Sequence, residues 1–168
     1  MHHYDYVVVG AGSAGSALAN RLSESGKFTV CLLEAGGSDK KFWVQMPLGY
    51  GKVFHDPSVN WRYMTEPEPN LDNQSVYWPR GKVLGGSSSI NAMVWVRGHK
   101  RDYDEWNSLA PGWGWDNVQK IFNRIENWDG TSNISRGTNG PQPVHDVSSD
   151  VHPLTISYLE AASQIGIK

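Results

Sequence analysis

The stretch from Tyr4 to Glu34 constrains this chain more than any other. An apolar, β-branched run, Tyr6-Val7-Val8-Val9, breaks into Gly10-Ala11-Gly12-Ser13-Ala14-Gly15. A helical pattern follows through Leu18, Ala19 and Leu22 and ends at Gly26, and a second apolar run, Thr29 to Leu33, ends on Glu34. Strand, glycine turn, helix, strand and acid in this order form the dinucleotide-binding βαβ pattern. Gly10 permits the tight turn. Gly12 lets the backbone approach a pyrophosphate, and Gly15 lets the helix pack close to the strand. A pyrophosphate sits on the unpaired N–H groups at the helix start, Ser13 and Ala14 among them, where the helix dipole favours negative charge. Glu34, 19 residues past Gly15, is placed to accept hydrogen bonds from the ribose hydroxyls of an adenosine half. An acid at this position argues against a 2′-phosphate, which leaves FAD or NAD.

At 168 residues the chain is long enough for one ordinary domain with a real core. Its charge is nearly balanced, 15 basic against 17 acidic residues, and no basic stripe points to nucleic acid. Cys31 is the only cysteine, so no disulfide framework forms within the chain; it falls in the second strand as a small apolar residue. No apolar run is long enough to span a membrane. The N-terminus runs straight into the first strand with no room for a signal peptide. A cytoplasmic location is the expectation, with peripheral membrane association left open. Asn73-Gln74-Ser75 and Asn133-Ile134-Ser135 match the glycosylation triplet and read as chance.

Beyond Glu34, residues 38–75 show no sustained period and hold Pro47, Pro57, Pro67 and Pro69. Their aromatics, Trp61 and Tyr63 among them, argue against disorder and for an irregular cover. Tyr63-Met64-Thr65 and Ser75-Val76-Tyr77-Trp78 read as a hairpin around turn-forming residues. Ile90 to Val96 fits helix and strand equally. Asp102 to Leu109 reads as a short amphipathic helix. Asp116 is placed to cap a second helix, Asn117 to Glu126, with Val118, Ile121, Phe122 and Ile125 on one face. Residues 129–141 read as a surface loop and Pro143-Val144-His145 as a strand. Asp150 or His152 leads into a last helix from Pro153 to Gly166 with Leu154, Tyr158, Leu159, Ala162 and Ile165 on its apolar face. Only two parallel strands of a doubly wound sheet are recognisable. The expectation is therefore an N-terminal part of a larger protein, poorly stable alone.

One further stretch is distinctive. Gly81-Lys82-Val83-Leu84-Gly85-Gly86-Ser87-Ser88-Ser89-Ile90-Asn91-Ala92-Met93-Val94-Trp95, followed by Gly98 and Asp104, resembles the first signature of the glucose–methanol–choline oxidoreductases. With Gly10 to Gly15 and Glu34-Ala35-Gly36, the resemblance spans essentially the whole chain. Pro79-Arg80-Gly81-Lys82, Arg97-Gly98-His99 and Gly112-Trp113-Gly114-Trp115 are similar to the alcohol- and choline-dehydrogenase branch. The resemblance implies an α/β fold: an incomplete, FAD-binding Rossmann-like domain over residues 1–140, and the start of an α+β substrate domain over residues 141–168. It selects FAD over NAD. It places Glu34 and Ala35, then Val83, the turn Gly85-Gly86-Ser87-Ser88, and Asn91, Ala92, Met93 and Val94 along the cofactor. Arg80 faces either a phosphate or a surface carboxylate. Some relatives carry a flavin-linked histidine where this chain has Ile90, so a dissociable FAD is implied, at least by that linkage.

The resemblance also implies the chemistry of a whole enzyme. In this family a histidine takes the hydroxyl proton while hydride passes from the alcohol carbon to the flavin. That histidine is expected beyond Lys168. His55, His99, His145 and His152 match neither its motif nor any metal-ligand spacing. The implied partners are a small-molecule alcohol and an electron acceptor (oxygen, a quinone or another carrier). Two other readings stand beside this one: a non-catalytic FAD-binding fragment that needs a companion polypeptide, and an NAD-dependent Rossmann dehydrogenase. A family lyase with structural FAD also stays open.

Overall fold

The computed structural model describes residues 2–131 and 135–167, which leaves Asn133 of the second glycosylation triplet outside the described residues. The backbone forms two compact units, Met1–Val94 and Trp95–Lys168.

The first unit is built on β1 (Tyr6–Val9), α1 (Ser13–Ser23) and β2 (Val30–Leu33). The two strands pair in parallel, from Tyr6 opposite Val30 to Val9 opposite Leu33. Gly10 N–H extends the ladder by donating to Leu33 C=O at 2.7 Å. Asp5 ties the strand starts together: its carboxylate accepts the Thr29 N–H at 2.7 Å and the Thr29 hydroxyl at 2.8 Å. A Cβ on Gly15 would lie 1.9 Å from Gly10 C=O, so only glycine lets α1 sit this close to the turn.

The region read as irregular contains two one-turn helices, α2 (Phe42–Gln45) and α3 (Tyr50–Val53), joined by a 3₁₀ turn at Pro47–Gly49. Elements this short carry too little period to be seen in sequence. The expected hairpin is present as β3 (Tyr63–Met64) and β4 (Tyr77–Trp78), antiparallel, with Tyr63 opposite Trp78. The core of this unit is a cluster of Val53, Val59, Val83 and Ile90. Residues 80–86 are laced to three separate segments. Trp61 N–H donates to Arg80 C=O (2.8 Å), Lys82 N–H to Val59 C=O (2.7 Å), Leu84 N–H to Gly37 C=O (2.9 Å) and Gly85 N–H to Ala11 C=O (2.8 Å). Residues 86–89 close as a 3₁₀ turn, and Ile90 to Val96 then runs on as neither helix nor strand.

The second unit carries α4 (Lys100–Leu109), α5 (Trp115–Ile125), β5 (Glu126–Trp128), β6 (Gln142–Val144) and α6 (Pro153–Gln164). Gly114, not Asp116, is the N-cap of α5; Asp116 lies in its first turn, where a negative charge interacts favourably with the helix dipole. Glu126, expected at the end of that helix, belongs to β5. Two histidines cap helices: His99 Nδ1 accepts Arg101 N–H, and His152 Nδ1 accepts Leu154 N–H. The fully buried Glu126 pairs with Arg97 and, at 2.9 Å, with Arg136. Arg97 lies over Phe122 and Arg136 over Trp128. Burial, with Arg136 close by, pushes the Arg97 guanidinium below its usual pKa.

Candidate functional site

The end of β1, the start of α1 and the end of β2 meet residues 80–87 around a groove of about 800 Å³. Gly10, Gly12, Glu34 and Ala35 line one part of it, and Arg80, Gly81, Gly86 and Ser87 another. Seven of these eight, all but Gly81, are residues expected at the cofactor, and they come from stretches far apart in the chain.

The helix start has spare donors. The first intrahelical bond of α1 runs from Ser16 N–H to Gly12 C=O at 2.9 Å. Gly12 caps the helix without a side-chain hydrogen bond, and the first turn holds no acid. The N–H groups of Ser13, Ala14 and Gly15 thus have no intrahelical acceptor, and this end of the dipole suits an anion. Gly86 approaches from the opposite stretch. Its φ is +59°, and a Cβ on it would lie 2.8 Å from Gly12 Cα. Backbone, not side chain, therefore forms this part of the cradle.

Glu34 joins the parts. One carboxylate oxygen accepts Ala11 N–H and the other accepts Gly36 N–H, each at 2.8 Å. It thereby clamps the glycine turn to the exit of β2. A carboxylate has about four lone-pair sites, so acceptor capacity remains for a vicinal diol. Arg80 lines the groove with its guanidinium 4.9 Å from the Trp78 ring, and no carboxylate pairs with it among the described residues. Of its two expected partners, the surface carboxylate is not present there.

The remaining residues divide differently. Val83 is fully buried in the core cluster, so its side chain packs against protein. Ser88 hydroxyl donates to Gly85 C=O at 2.5 Å and shapes the turn. Asn91 and Ala92 line a second, mostly apolar cavity of about 470 Å³ that shares Arg80 and Ser87 with the groove. Asn91 Oδ1 accepts Met93 N–H at 2.8 Å, with Met93 at φ +58°. Met93 and Val94 are exposed. Trp61 and Tyr63 also line the groove; the sequence showed them only as aromatics of the irregular cover.

Every histidine beyond the N-terminal pair is engaged in protein contacts. Besides the two helix caps, His55 stacks on Tyr77 with centroids 5.5 Å apart. His145 meets Asp129 at the surface. The hydrogen bond from His145, helped by Asp146 N–H, holds the Asp129 carboxyl below the usual carboxylate range. No group of three potential metal ligands occurs among the described residues.

Comparison with known proteins bears on the same residues. The sequence model of the family described as GMC oxidoreductase matches residues 4–168. The chain is 46% identical over 166 residues to the oxygen-dependent choline dehydrogenase of Vibrio vulnificus, covering 98% of this chain and 30% of that protein. It is 47% identical over 165 residues to the protein of the same name from Rhizobium etli, again covering 30% of it. Among solved structures, pyridoxine 4-oxidase from Mesorbium loti superposes with a TM-score of 0.88 at 35% identity, over 98% of this chain and 32% of that one. Aspergillus oryzae formate oxidase superposes with a TM-score of 0.83 at 28% identity, over 98% of this chain and 30% of that one. The chain thus spans roughly a third of the length of the relatives it matches. A groove built from a βαβ glycine turn and a Gly-Gly-Ser-Ser-Ser loop, together with a family match over nearly every residue, shows that the chain belongs to the GMC oxidoreductases, a family of FAD-dependent enzymes.

Proposed function

We propose that the chain is the FAD-binding portion of an enzyme that oxidises a primary alcohol to an aldehyde. The observation that carries this is the convergence of Gly12, Glu34, Gly86 and Ser87 in one groove. The residues fit the cofactor. The N–H groups of Ser13, Ala14 and Gly15 and the guanidinium of Arg80 hold the pyrophosphate. Glu34 accepts the adenosine ribose hydroxyls. The Gly85-Gly86 backbone lets the chain of the cofactor pass close, and Ser87, Asn91, Ala92, Met93 and Val94 continue towards the flavin; Val83 serves from behind, in the core. FAD, when bound, supplies the hydride acceptor. Ile90, 3% exposed in the core cluster, has a hydrocarbon side chain with no nucleophile for a flavin, so FAD is not linked covalently at this position.

The base that takes the alcohol proton lies outside residues 1–168, and the isolated chain is inactive. On this reading residues 1–140 belong to the FAD-binding part and residues 141–168 open a substrate domain. The choline dehydrogenases among its relatives make a choline-like alcohol the first substrate to try, with oxygen as the first acceptor and a quinone or other carrier as alternatives. A cytoplasmic setting is part of the same proposal. Val7, Val9 and Leu33 are 58%, 82% and 50% exposed on β1 and β2. That exposure favours a cover for the sheet, from further length of the same chain or from a companion polypeptide. The test is a visible spectrum of the purified protein followed by anaerobic addition of choline and other simple alcohols. Flavin bands together with bleaching in the presence of the remaining sequence support the proposal; a colourless protein that takes up no added FAD refutes it.

A further inference from the structure

Asn60 is 2% exposed, and its side chain is fully engaged. Its Nδ2 donates to Phe54 C=O at 2.7 Å and to Tyr77 hydroxyl at 3.3 Å, while its Oδ1 accepts the N–H groups of Arg62 and Arg80, both at 2.9 Å. A buried polar side chain this well satisfied fixes the backbone around it. Here it holds Arg62 at φ +58°, a conformation that L-residues rarely adopt. The flanking rings of Trp61 and Tyr63 stack, with an interplanar angle of 6° and centroids 5.9 Å apart. Lys82 Nζ adds a second contact to the same indole, 4.6 Å from its centroid. Both rings line the groove that holds Gly12 and Glu34, yet Trp61 is 41% exposed and Tyr63 51%. Two large apolar rings kept half in solvent by a strained residue and a buried amide are oriented for something other than the core.

We propose that Trp61 and Tyr63 form an aromatic wall against the adenosine-diphosphate half of the cofactor, and that Asn60, Arg62 and Lys82 are the residues that position it. This rests on the FAD reading above. The wall stands in the same cavity as Glu34, which takes the ribose, and as Arg80, which meets the pyrophosphate; an aromatic face there gives the adenine end dispersion contact and excludes water from the charged part.

The test uses the protein at its full natural length, stripped of flavin, with FAD and ADP as separate probes followed by flavin fluorescence and by competition. Trp61→Ala is expected to weaken both FAD and ADP about tenfold, the scale of one lost stacking contact with a base. Trp61→Phe retains most of the affinity, and Lys82→Ala gives a smaller loss in the same direction for both probes. Because Trp61 is partly exposed, Trp61→Ala is expected to keep the fold, which far-UV circular dichroism checks; if it does not, the milder Tyr63→Leu is read in the same way. Unchanged FAD and ADP affinity in the folded variant overturns the inference, and so does a loss confined to FAD, which would put the wall on the flavin half. A wild-type protein that binds ADP but no FAD, or neither, overturns the FAD reading itself and the wall with it.

Discussion

Glu34 clamps two turns together in the structure and, on the proposed reading, also accepts the ribose hydroxyls. The sequence leads one to expect a ribose acceptor there, because an acid at the end of the second strand is part of the βαβ pattern. The Glu34 clamp on Ala11 N–H and Gly36 N–H was not legible, because those hydrogen bonds depend on how two turns meet in space. Glu34→Gln preserves the shape but replaces one acceptor oxygen with a donor, so one backbone N–H loses its partner. The expected result is FAD affinity lower by about tenfold or more, with a stability loss of about 1–3 kcal/mol, read by flavin titration and urea unfolding. Wild-type affinity in the variant would show that Glu34 acts only on the backbone. Val83 sits inside the family signature and so reads as a cofactor contact; in the structure its side chain is part of the core cluster. Asn60 is silent in sequence, since one asparagine among turn formers gives no sign that four partners converge on it.

At the scale of elements, what could be read was what repeats locally. β1, α1 and β2 carry period and glycine punctuation within 31 residues, from Tyr4 to Glu34, and appear where that pattern puts them. The hairpin, α4 and α6 were legible for the same reason. The one-turn helices α2 and α3 were not, because four residues carry too little period, and neither was the lacing of residues 80–86, whose hydrogen bonds join segments tens of residues apart. Glu126 was misassigned to a helix end, and its burial became visible only with Arg97 and Arg136 around it. That cluster defines the β5 end of the second unit. Removing the acid strands two buried or half-buried guanidinium groups. Glu126→Ala is expected to cost about 3 kcal/mol or more in urea unfolding. Replacing Glu126, Arg97 and Arg136 together with Leu and Met residues is expected to recover much of it. A loss below about 1 kcal/mol for the single variant would mean that water already reaches the cluster.

Across the whole molecule, acid sensitivity follows from several exposed carboxylates acting alike. Thr29 N–H and hydroxyl lower the pKa of Asp5. The Ser58 hydroxyl does so for Asp56, Lys100 for Asp104, His145 for Asp129 and Ser148 for Asp146. A folded-state pKa below the unfolded one gives stability that is present above the unfolded value and is lost as pH falls through the folded one. The urea midpoint should therefore hold through neutrality and drop below about pH 4. Asp5→Asn, which removes the titrating group that ties β1 to β2, should make that drop shallower; an identical profile would assign the acid limb to other groups. The same scale holds the central claim, that two distant backbone turns and one clamped glutamate make an FAD cradle. The most direct test is the visible absorption spectrum of the purified protein, taken before and after acid precipitation. The expected result is the bands of an oxidised flavin, with the colour passing into the supernatant as free FAD because nothing links it covalently at Ile90. A protein that is colourless and remains so after incubation with FAD, or one whose flavin stays with the precipitate, would contradict it.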